Sequence, residues 1–419
     1  MISVATQVIM GLVGVIVTGY VLNGAAGIPP HKIMPPVIDA SKTPLNTVEQ
    51  TKEVEYTRNR RSGGGESVKK NVSVDMYLRP TEKPKDKTRE NALIHAVKNT
   101  WDENTSPVIG SGGFGEVRRI HPHSKKQMLL VFKVNIKKDS NTYRDSLEEA
   151  KRHFQMNHPN IISCLGYASI AKERRVLLLF PQAKQSLRQM LEGSENETSP
   201  LSECLSITRQ VAEGLAYIHK QGCVHGDVAS KNILLDNTGK PLITDFGLAA
   251  CIGSRNPNRN VSEGDEKYLF LGVEVNREVC EGDLYLPPES YIGETRELIS
   301  DVFCLGVVGF GLYKNDPIDV AWTNKPGYNF TECKQDYPHF LWPDKGRRSL
   351  RSLRTYISST KRNALKRLRP EDDQDLQDRF LNVIEKCMDV DPKFRIKTAG
   401  EVSEQLQALE NDPRERKKQ

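Results

Sequence analysis

The sequence predicts an α+β fold with two lobes, a small lobe rich in β-strands and a larger helical lobe. Short apolar runs of strand type come first in the globular region, and long amphipathic helices follow them. A late segment is apolar on nearly every side, which indicates a helix in the middle of a large domain. Strands before helices are typical of an α+β protein, so residues 103–410 are predicted to form both lobes.

A transmembrane anchor is predicted at residues 1–30. Residues 2–28 contain no charged side chain, and as a helix they can span the roughly 30 Å hydrocarbon core of a bilayer. Lys32, Lys42 and Lys52 follow this run and no basic residue precedes it, so the positive-inside bias predicts that the rest of the chain lies in the cytosol. The alternative is a cleaved signal peptide, which would make the protein lumenal or secreted, but the basic n-region of such peptides is missing.

A flexible linker is predicted over residues 31–102 and a polar tail over 411–419. Prolines, glycines and charged residues outnumber periodic apolar residues in the linker. The net charge is only +6 and the basic residues are spread along the chain, so no nucleic-acid partner is predicted. The eight cysteines include no Cys-x-x-Cys pair, and their scattering indicates reduced thiols.

Four segments of the globular region have a clear pattern. Residues 128–136 are an apolar run of strand type, and residues 142–156 carry apolar side chains at the spacing of an amphipathic helix. Residues 201–222 place their apolar side chains on one helical face, which predicts a long helix. Residues 301–313 are apolar almost all round, which predicts the central helix of the larger lobe.

A glycine motif opens the globular region. Gly110, Gly112 and Gly115 form Gly-x-Gly-x-x-Gly within the run from Ile109 to Val117. Glycine lets a backbone approach phosphate oxygens closely, although alone the motif could equally be a flexible turn. A dinucleotide-binding motif would continue into a helix, whereas here a second strand-like run follows. The pattern therefore favours a hairpin that folds over phosphates.

Charged and amide side chains then recur in order along the chain. Lys133 lies in the second strand-like run, and an ion pair with a glutamate of the next helix would hold its ammonium toward phosphates. Asp227 and Asn232 lie five residues apart just after a predicted helix, and Asp245 follows in the sequence ITDFGLA. Asp227 can accept a hydroxyl proton, while Asn232 and Asp245 can bind a metal ion.

These motifs, in this order and spacing, resemble the eukaryotic protein kinase domain over residues 103–410. The resemblance implies a two-lobed protein kinase fold with ATP in the cleft between the lobes, preceded by the transmembrane helix and linker. Spacing alone permits Glu148 or Glu149 as the partner of Lys133. Glu149 is preferred because it precedes the sequence His-Pro-Asn by nine residues, as in kinases.

The resemblance also implies roles for the site residues. Asp227 is the expected catalytic base, and Asn232 and Asp245 are the expected Mg²⁺ ligands, with Mn²⁺ as an alternative ion. Lys231 joins Asp227, Lys133 and Glu149 in the expected catalytic set. The expected nucleotide site consists of Ile109, Gly110, Gly112, Gly115, Val117, Val131, Lys133 and Leu234.

Two further stretches support the resemblance. The sequence YLPPES at 285–290 is similar to the kinase Ala-Pro-Glu motif, and DVFCLGV from Asp301 is similar to a motif of the large-lobe helix. Arg395 in DPKFR is then expected to form a buried ion pair with Glu289.

The chain departs from the kinase pattern at several positions. Gly226 stands where many kinases have the arginine that meets a phosphorylated activation loop, as in the non-RD kinases. Val131 stands where Ala usually packs on adenine. The activation segment from Asp245 to Glu289 is longer than usual, and an insertion is predicted at 253–260. These departures predict a different mode of control and do not argue against catalysis.

Substrate choice stays open at this stage. Ala229 and Lys231 give the catalytic loop a resemblance to receptor tyrosine kinases, whereas Tyr285 resembles the serine/threonine type. The leading interpretation is a membrane-anchored cytosolic kinase that binds ATP, protein substrates and, through residues 2–28, a membrane. The alternatives are a pseudokinase scaffold that binds partners without phosphate transfer and a lumenal or secreted kinase.

Overall fold

The computed structural model of the chain describes twelve ranges, all within one compact unit over residues 37–419. These ranges are 47–59, 67–81, 87–100, 104–112, 115–120, 129–193, 199–252, 267–270, 273–276, 297–315, 373–389 and 391–412. The predicted anchor at residues 2–28, the insertion at 253–260 and the motif at 285–290 lie outside the described residues. Over the described ranges, no helix combines the length and the apolar character that crossing a bilayer requires.

The smaller lobe is built on a seven-stranded antiparallel sheet. Its strand order is β1-β2-β6-β7-β5-β4-β3. The strands are β1 (Val48–Asn59), β2 (Ser67–Leu78), β3 (Val108–Gly112), β4 (Gly115–Ile120), β5 (Leu130–Val134), β6 (Gly166–Ile170) and β7 (Arg175–Pro181). The predicted strand at 128–136 is confirmed as β5.

The two faces of this sheet carry one helix each. Helix α1 (Thr88–Asn99) contacts β1, β6 and β7, while α2 (Ser140–Gln155) packs on β6 and β7. Side chains alternate along a strand, so Phe132 of β5 joins the apolar cluster that contains α1, and Val131 joins the cluster that contains α2. The same alternation turns the side chain of Lys133 toward α2.

The prediction of a flexible linker over residues 31–102 is wrong for the part of it that the structure describes. The hairpin β1–β2 extends the sheet at the edge of β6, and α1 covers one face. Val72, Val74 and Met76 of β2 are buried together with Leu93 of α1. The composition hid these strands because one face of the hairpin is solvated and polar, so apolar residues occur only at alternate positions.

The larger lobe is helical. Its helices are α3 (Leu187–Gly193), α4 (Leu201–Lys220), α5 (Leu298–Lys314), α6 (Gln374–Cys387) and α7 (Ala399–Glu410). Helix α5 is buried at every residue from Asp301 to Tyr313 and packs between α4 and α6, which confirms the predicted central helix. The predicted helix over 201–222 is confirmed as α4, and that over 142–156 as α2.

Short strands lie between and beside these helices. They are β8 (Gln185–Ser186), β9 (Cys223–Val224), β10 (Ile233–Leu235), β11 (Pro241–Ile243), β12 (Ala250–Cys251), β13 (Lys267–Phe270) and β14 (Val273–Asn276). The segments that carry the predicted site residues lie next to β9, β10 and β11. No disulfide joins any of the six cysteines within the described ranges.

Candidate active site

The glycine motif forms the hairpin that the sequence predicts. Gly110 pairs with Val117 and Gly112 with Gly115, with an irregularity in register between Val108 and Gly110. A Cβ on Gly115 would lie 2.4 Å from the carbonyl oxygen of Val134 in β5. Glycine is therefore required at position 115 by the close approach of two strands, independently of any phosphate.

An apolar surface beside this hairpin brings together three residues predicted for the nucleotide site. Val117, Val131 and Leu234 pack in one cluster, while Ile109 is 42% exposed and is not part of it. Phe180 of β7 belongs to the same cluster and is the register partner of Val131. Phe180 was not among the predicted residues, because nothing in the local pattern of β7 distinguishes it from its apolar neighbours.

Lys133 is the centre of an ion-pair network that joins the two lobes. Its ammonium Nζ lies 2.7 Å from Oε1 of Glu149 in α2 and 2.8 Å from Oδ1 of Asp245. Burial alone would lower the pKa of Lys133, but the carboxylates of Glu149 and Asp245 outweigh it and raise that pKa above its ordinary value. The lysine is therefore held as a cation, and Glu149 rather than Glu148 is its partner.

Asp245 adopts a constrained backbone conformation. Its φ of 65° lies in the left-handed region, which is uncommon for a residue other than glycine and is concentrated at functional sites. Its Oδ1 also accepts a hydrogen bond from the backbone N–H of Gly247 at 3.3 Å. Burial favours the neutral acid, but Lys133 and this N–H hold the pKa of Asp245 below its ordinary value, so the carboxylate stays ionised.

The loop between β9 and β10 joins the three residues predicted to act there. The side-chain amide Nδ2 of Asn232 donates to Oδ2 of Asp227 at 2.8 Å and to its backbone carbonyl at 2.9 Å. The half-exposed Lys231 reaches the same carboxylate at 3.3 Å. The backbone N–H of Thr244 donates to the carbonyl of Asn232, which places Asp245 next to this loop.

A buried aspartate of the larger lobe holds the same loop in place. Asp301 in the first turn of α5 accepts hydrogen bonds from the backbone N–H groups of His225 and Gly226 and from the ring of His219, at 2.7–2.9 Å. Burial opposes ionisation, but these donors lower the pKa of Asp301. A single acid at the start of an apolar helix must find partners in the interior, so the position of Asp301 in the sequence is itself a signal of such a contact.

Aromatic rings form a column through the middle of the site. The ring of Phe246, next to Asp245, lies 4.5 Å from His153 of α2 and 5.2 Å from His225. Burial lowers the pKa of His153 to about 3, so this imidazole is neutral and its Nε2 donates to the carbonyl of Ile162. The column links α2, the segment of Asp245 and the loop of Asp227 by apolar packing.

The polar groups fit a divalent cation held jointly with a phosphate ligand. Asn232 uses its amide nitrogen on Asp227, which leaves its carbonyl oxygen as a metal donor, and Asp245 supplies a carboxylate. No group of three or more His, Cys, Asp or Glu side chains able to hold a metal occurs in the described ranges. Two oxygen ligands suit Mg²⁺, which is usually bound through one or two carboxylates together with substrate phosphates.

The predicted ion pair of Arg395 with Glu289 involves a residue outside the described ranges. Arg395 itself is buried, donates to the backbone carbonyls of Asp389 and Ile299, and lies over the ring of Phe303. These contacts tie the end of α6 to the start of α5.

Comparison with known proteins agrees with this geometry. Residues 104–406 match the family described as the protein kinase domain, and the chain belongs to this family. Its members are phosphotransferases, and the strand-rich and helical lobes fit the two-lobed kinase fold.

Individual relatives are receptor-like and other kinases. The chain is 29% identical to a probable LRR receptor-like serine/threonine-protein kinase of Arabidopsis thaliana, over 56% of this chain and 25% of that protein. It is 29% identical to chitin elicitor receptor kinase 1 of the same plant, over 58% of this chain and 36% of that protein. It is 26% identical to cyclin-dependent kinase 12 of Drosophila melanogaster, over 69% of this chain and 24% of that protein. The chain thus spans about a quarter to a third of the length of these relatives.

Proposed function

We propose that this chain is an active protein kinase that transfers the γ-phosphate of ATP to serine or threonine hydroxyls of proteins. The observation that carries the proposal is the bridge from Lys133 to both Glu149 and Asp245, because it assembles the phosphate-binding and metal-binding groups in one network. A scaffold that only binds partners has no need for this combination of charges.

Each residue has a defined task in the proposed reaction. The third N–H donor of the Lys133 ammonium binds a phosphate oxygen of ATP, since two of its three donors are used by carboxylates. Val117, Val131 and Leu234 bind the base by apolar contact. Asp227 accepts the proton of the substrate hydroxyl, and Asn232 orients this carboxylate through its 2.8 Å hydrogen bond. Lys231 adds a positive charge beside the incoming phosphate.

Asn232 and Asp245 would hold Mg²⁺, or Mn²⁺ in its place. When bound, this ion neutralises charge on the β- and γ-phosphates. The pKa of Asp245, lowered by Lys133, keeps the carboxylate ionised and ready as a ligand near neutral pH.

Serine and threonine are the proposed acceptors. Support comes from the relatives whose names specify serine/threonine kinases, against the resemblance of Ala229 and Lys231 to tyrosine kinases. Gly226, in place of arginine, supports a non-RD kinase whose activity does not depend on a loop phosphate.

Attachment to a membrane through residues 2–28 is part of the same proposal, with the kinase domain on the cytosolic side. The uncharged run, the lysines after it and the receptor-like names of several relatives support it. Deletion of residues 1–28 should move the protein from the membrane fraction to the soluble fraction. Asn196 lies in the glycosylation sequon Asn-Glu-Thr, so a glycan on Asn196 would contradict the proposed cytosolic orientation.

The test of catalysis compares the parent chain with Asp227→Asn. Both proteins are incubated with γ-labelled ATP, Mg²⁺ and a mixture of peptides, followed by phosphoamino-acid analysis. We expect labelled phosphoserine or phosphothreonine with the parent and a rate lower by roughly 10²–10⁴ with the variant. Mg²⁺-dependent ATP binding without any transfer would instead establish a scaffold, and labelled phosphotyrosine alone would contradict the choice of acceptor.

A further inference from the structure

A strongly basic cavity of about 310 Å³ lies in the strand-rich lobe. It is lined by Lys70, Lys138, Lys172, Glu173 and Arg174, none of which belongs to the candidate active site. Four cations and one carboxylate give the lining a formal charge of +3. A surface enriched in this way in one sign of charge attracts small ligands of the opposite sign.

The single carboxylate cannot neutralise the cavity, because its two oxygens are already used. Oε1 of Glu173 accepts from Lys70 at 2.7 Å and from the hydroxyl of Tyr56, while Oε2 accepts from the buried Arg175. The Nε and Nη1 atoms of Arg175 find no hydrogen-bond partner among the described residues. One negative charge is therefore shared by two cations, and within the described ranges no carboxylate forms an ion pair with Lys172 or Arg174.

The walls of the cavity are held in place by a buried asparagine. The Nδ2 of Asn135 donates to the carbonyls of Lys137 and Arg174 at 2.7 and 2.8 Å, and its Oδ1 accepts from the N–H of Val176 at 2.8 Å. Arg174 also donates to the carbonyl of Lys138. These bonds join the segment that precedes α2 to the turn between β6 and β7, so the cationic side chains project from a fixed framework.

We propose that this cavity binds the phosphate monoester of a phosphorylated side chain on a protein partner. Lysine and arginine form strong charge-assisted hydrogen bonds with phosphate oxygens, and a phosphorylated side chain carries about −1.5 to −2 charge at neutral pH. The cavity volume is at the lower end of the range for ligand sites, which suits one modified side chain. The choice of a protein as the source of phosphate rests on the proposed function.

Such a ligand would join three parts of the lobe. Lys70 belongs to β2, Lys172 and Arg174 to the turn between β6 and β7, and Lys138 precedes the first residue of α2 by two positions. Helix α2 carries Glu149. A phosphate held by these cations therefore connects the N-terminal hairpin with the helix that pairs with Lys133.

Binding is measured by fluorescence anisotropy with the full chain carrying Asp227→Asn, so that no phosphate transfer occurs. The probes are a labelled peptide with one phosphoserine among neutral residues and its unphosphorylated twin. The double variant Lys172→Gln with Arg174→Gln is compared with Lys220→Gln with Lys393→Gln, which removes two exposed charges elsewhere. Thermal unfolding verifies that both variants stay folded.

We expect the phosphorylated peptide alone to bind, and inorganic phosphate to compete with it. The cavity variant should weaken this binding about tenfold or more, and the control variant by less than threefold. Equal affinity for both peptides, or equal weakening by both double variants, would overturn the proposal. Binding to vesicles that contain anionic lipid, without binding to the phosphorylated peptide, would show that the ligand is a membrane and would overturn the proposal of a protein partner. Because transfer is disabled, failure of the proposed kinase activity would not affect this result.

Discussion

The backbone N–H of Gly226 donates a hydrogen bond to the buried carboxylate of Asp301 at 2.9 Å, and Gly226 makes this contact with a φ of 78°. The residue that precedes the proposed base Asp227 is thus fixed to α5 in the left-handed region of backbone space. Glycine adopts this conformation without steric cost. The missing arginine therefore has a backbone consequence as well as an electrostatic one.

Substitution of Gly226 by Ala should lower both stability and activity. A Cβ in the left-handed region costs about 1 kcal/mol, and relief of that strain would move the N–H away from Asp301. Gly239 is a matched control, because it has a φ of 85° and no atom within 4 Å of an added Cβ. Gly239→Ala should lose similar stability in urea unfolding but keep full kinase activity. If Gly226→Ala is as active as Gly239→Ala, the contact with Asp301 does not position the loop.

The partner of Lys133 can be tested with two adjacent glutamates. Glu149→Gln should reduce kcat/KM for ATP by roughly tenfold or more, because a neutral amide no longer holds the ammonium toward the phosphates. Glu148→Gln should change it little, since Glu148 pairs with Lys151 of the same helix at 3.4 Å, whereas Lys133 pairs with Glu149. Steady-state kinetics over a range of ATP concentrations make the comparison. Similar losses in the two variants would count against the assignment.

The hairpin β1–β2 should stabilise the smaller lobe through Arg79, which ties the end of β2 to the end of α2. This residue follows β2 and donates to the carbonyls of Phe154 and Met156 at the end of α2, and to that of Cys164. Arg79→Gln should destabilise the protein by about 2–4 kcal/mol, because hydrogen bonds from a charged donor contribute roughly 1.5–3 kcal/mol each. Arg144→Gln, on the exposed side of α2, should have almost no effect. Urea unfolding measures the free energy of unfolding of both variants, and equal values would show that the hydrogen bonds of Arg79 do not stabilise the lobe.

Glu173 gives a stability that depends on pH. Burial would raise its pKa, but Lys70, Tyr56 and Arg175 lower it from about 4.5 to about 2. A lowered folded-state pKa stabilises the protein above the unfolded-state value, and this contribution is lost as pH falls from about 4.5 toward about 2. The free energy of unfolding of the parent should exceed that of Glu173→Gln by roughly 1–3 kcal/mol at pH 7, and this difference in stability should narrow below pH 4.5. A gap independent of pH between 7 and 3 would argue against this network.

The sequence predicted those parts of the fold whose signals are local. Helices α2, α4 and α5 have long apolar patterns, and the motifs of Lys133 and Asp245 are short and ordered along the chain. The hairpin β1–β2 was missed because its composition was averaged over a long polar region, although Val72, Val74 and Met76 alternate with polar residues as in a strand. Period-two alternation over so few residues is a weak signal until a sheet edge is available for pairing.

Only those contacts of the site that join two side chains were predictable from the sequence. The pair of Lys133 with Glu149 follows from two motifs, but the bonds of Asp301 go to backbone N–H groups, which carry no residue identity. The column of His153, Phe246 and His225 depends on the packing of three distant segments. The sequence showed that Gly226 replaces a positive charge, but it did not show that position 226 has a left-handed backbone conformation, because that depends on a contact with a distant segment.

The most direct test of the account is the time course of the first turnovers. The purified full chain is treated with phosphatase, its activation segment is verified as unphosphorylated by mass spectrometry, and γ-labelled ATP with Mg²⁺ and a peptide substrate is added in a quenched-flow instrument. We predict phosphate transfer to serine or threonine that starts without a lag. Position 226 carries glycine instead of arginine, so it has no positive charge that a loop phosphate must neutralise. A long lag that disappears after pre-incubation with ATP, or no transfer at any time despite saturating Mg-ATP, would contradict the account.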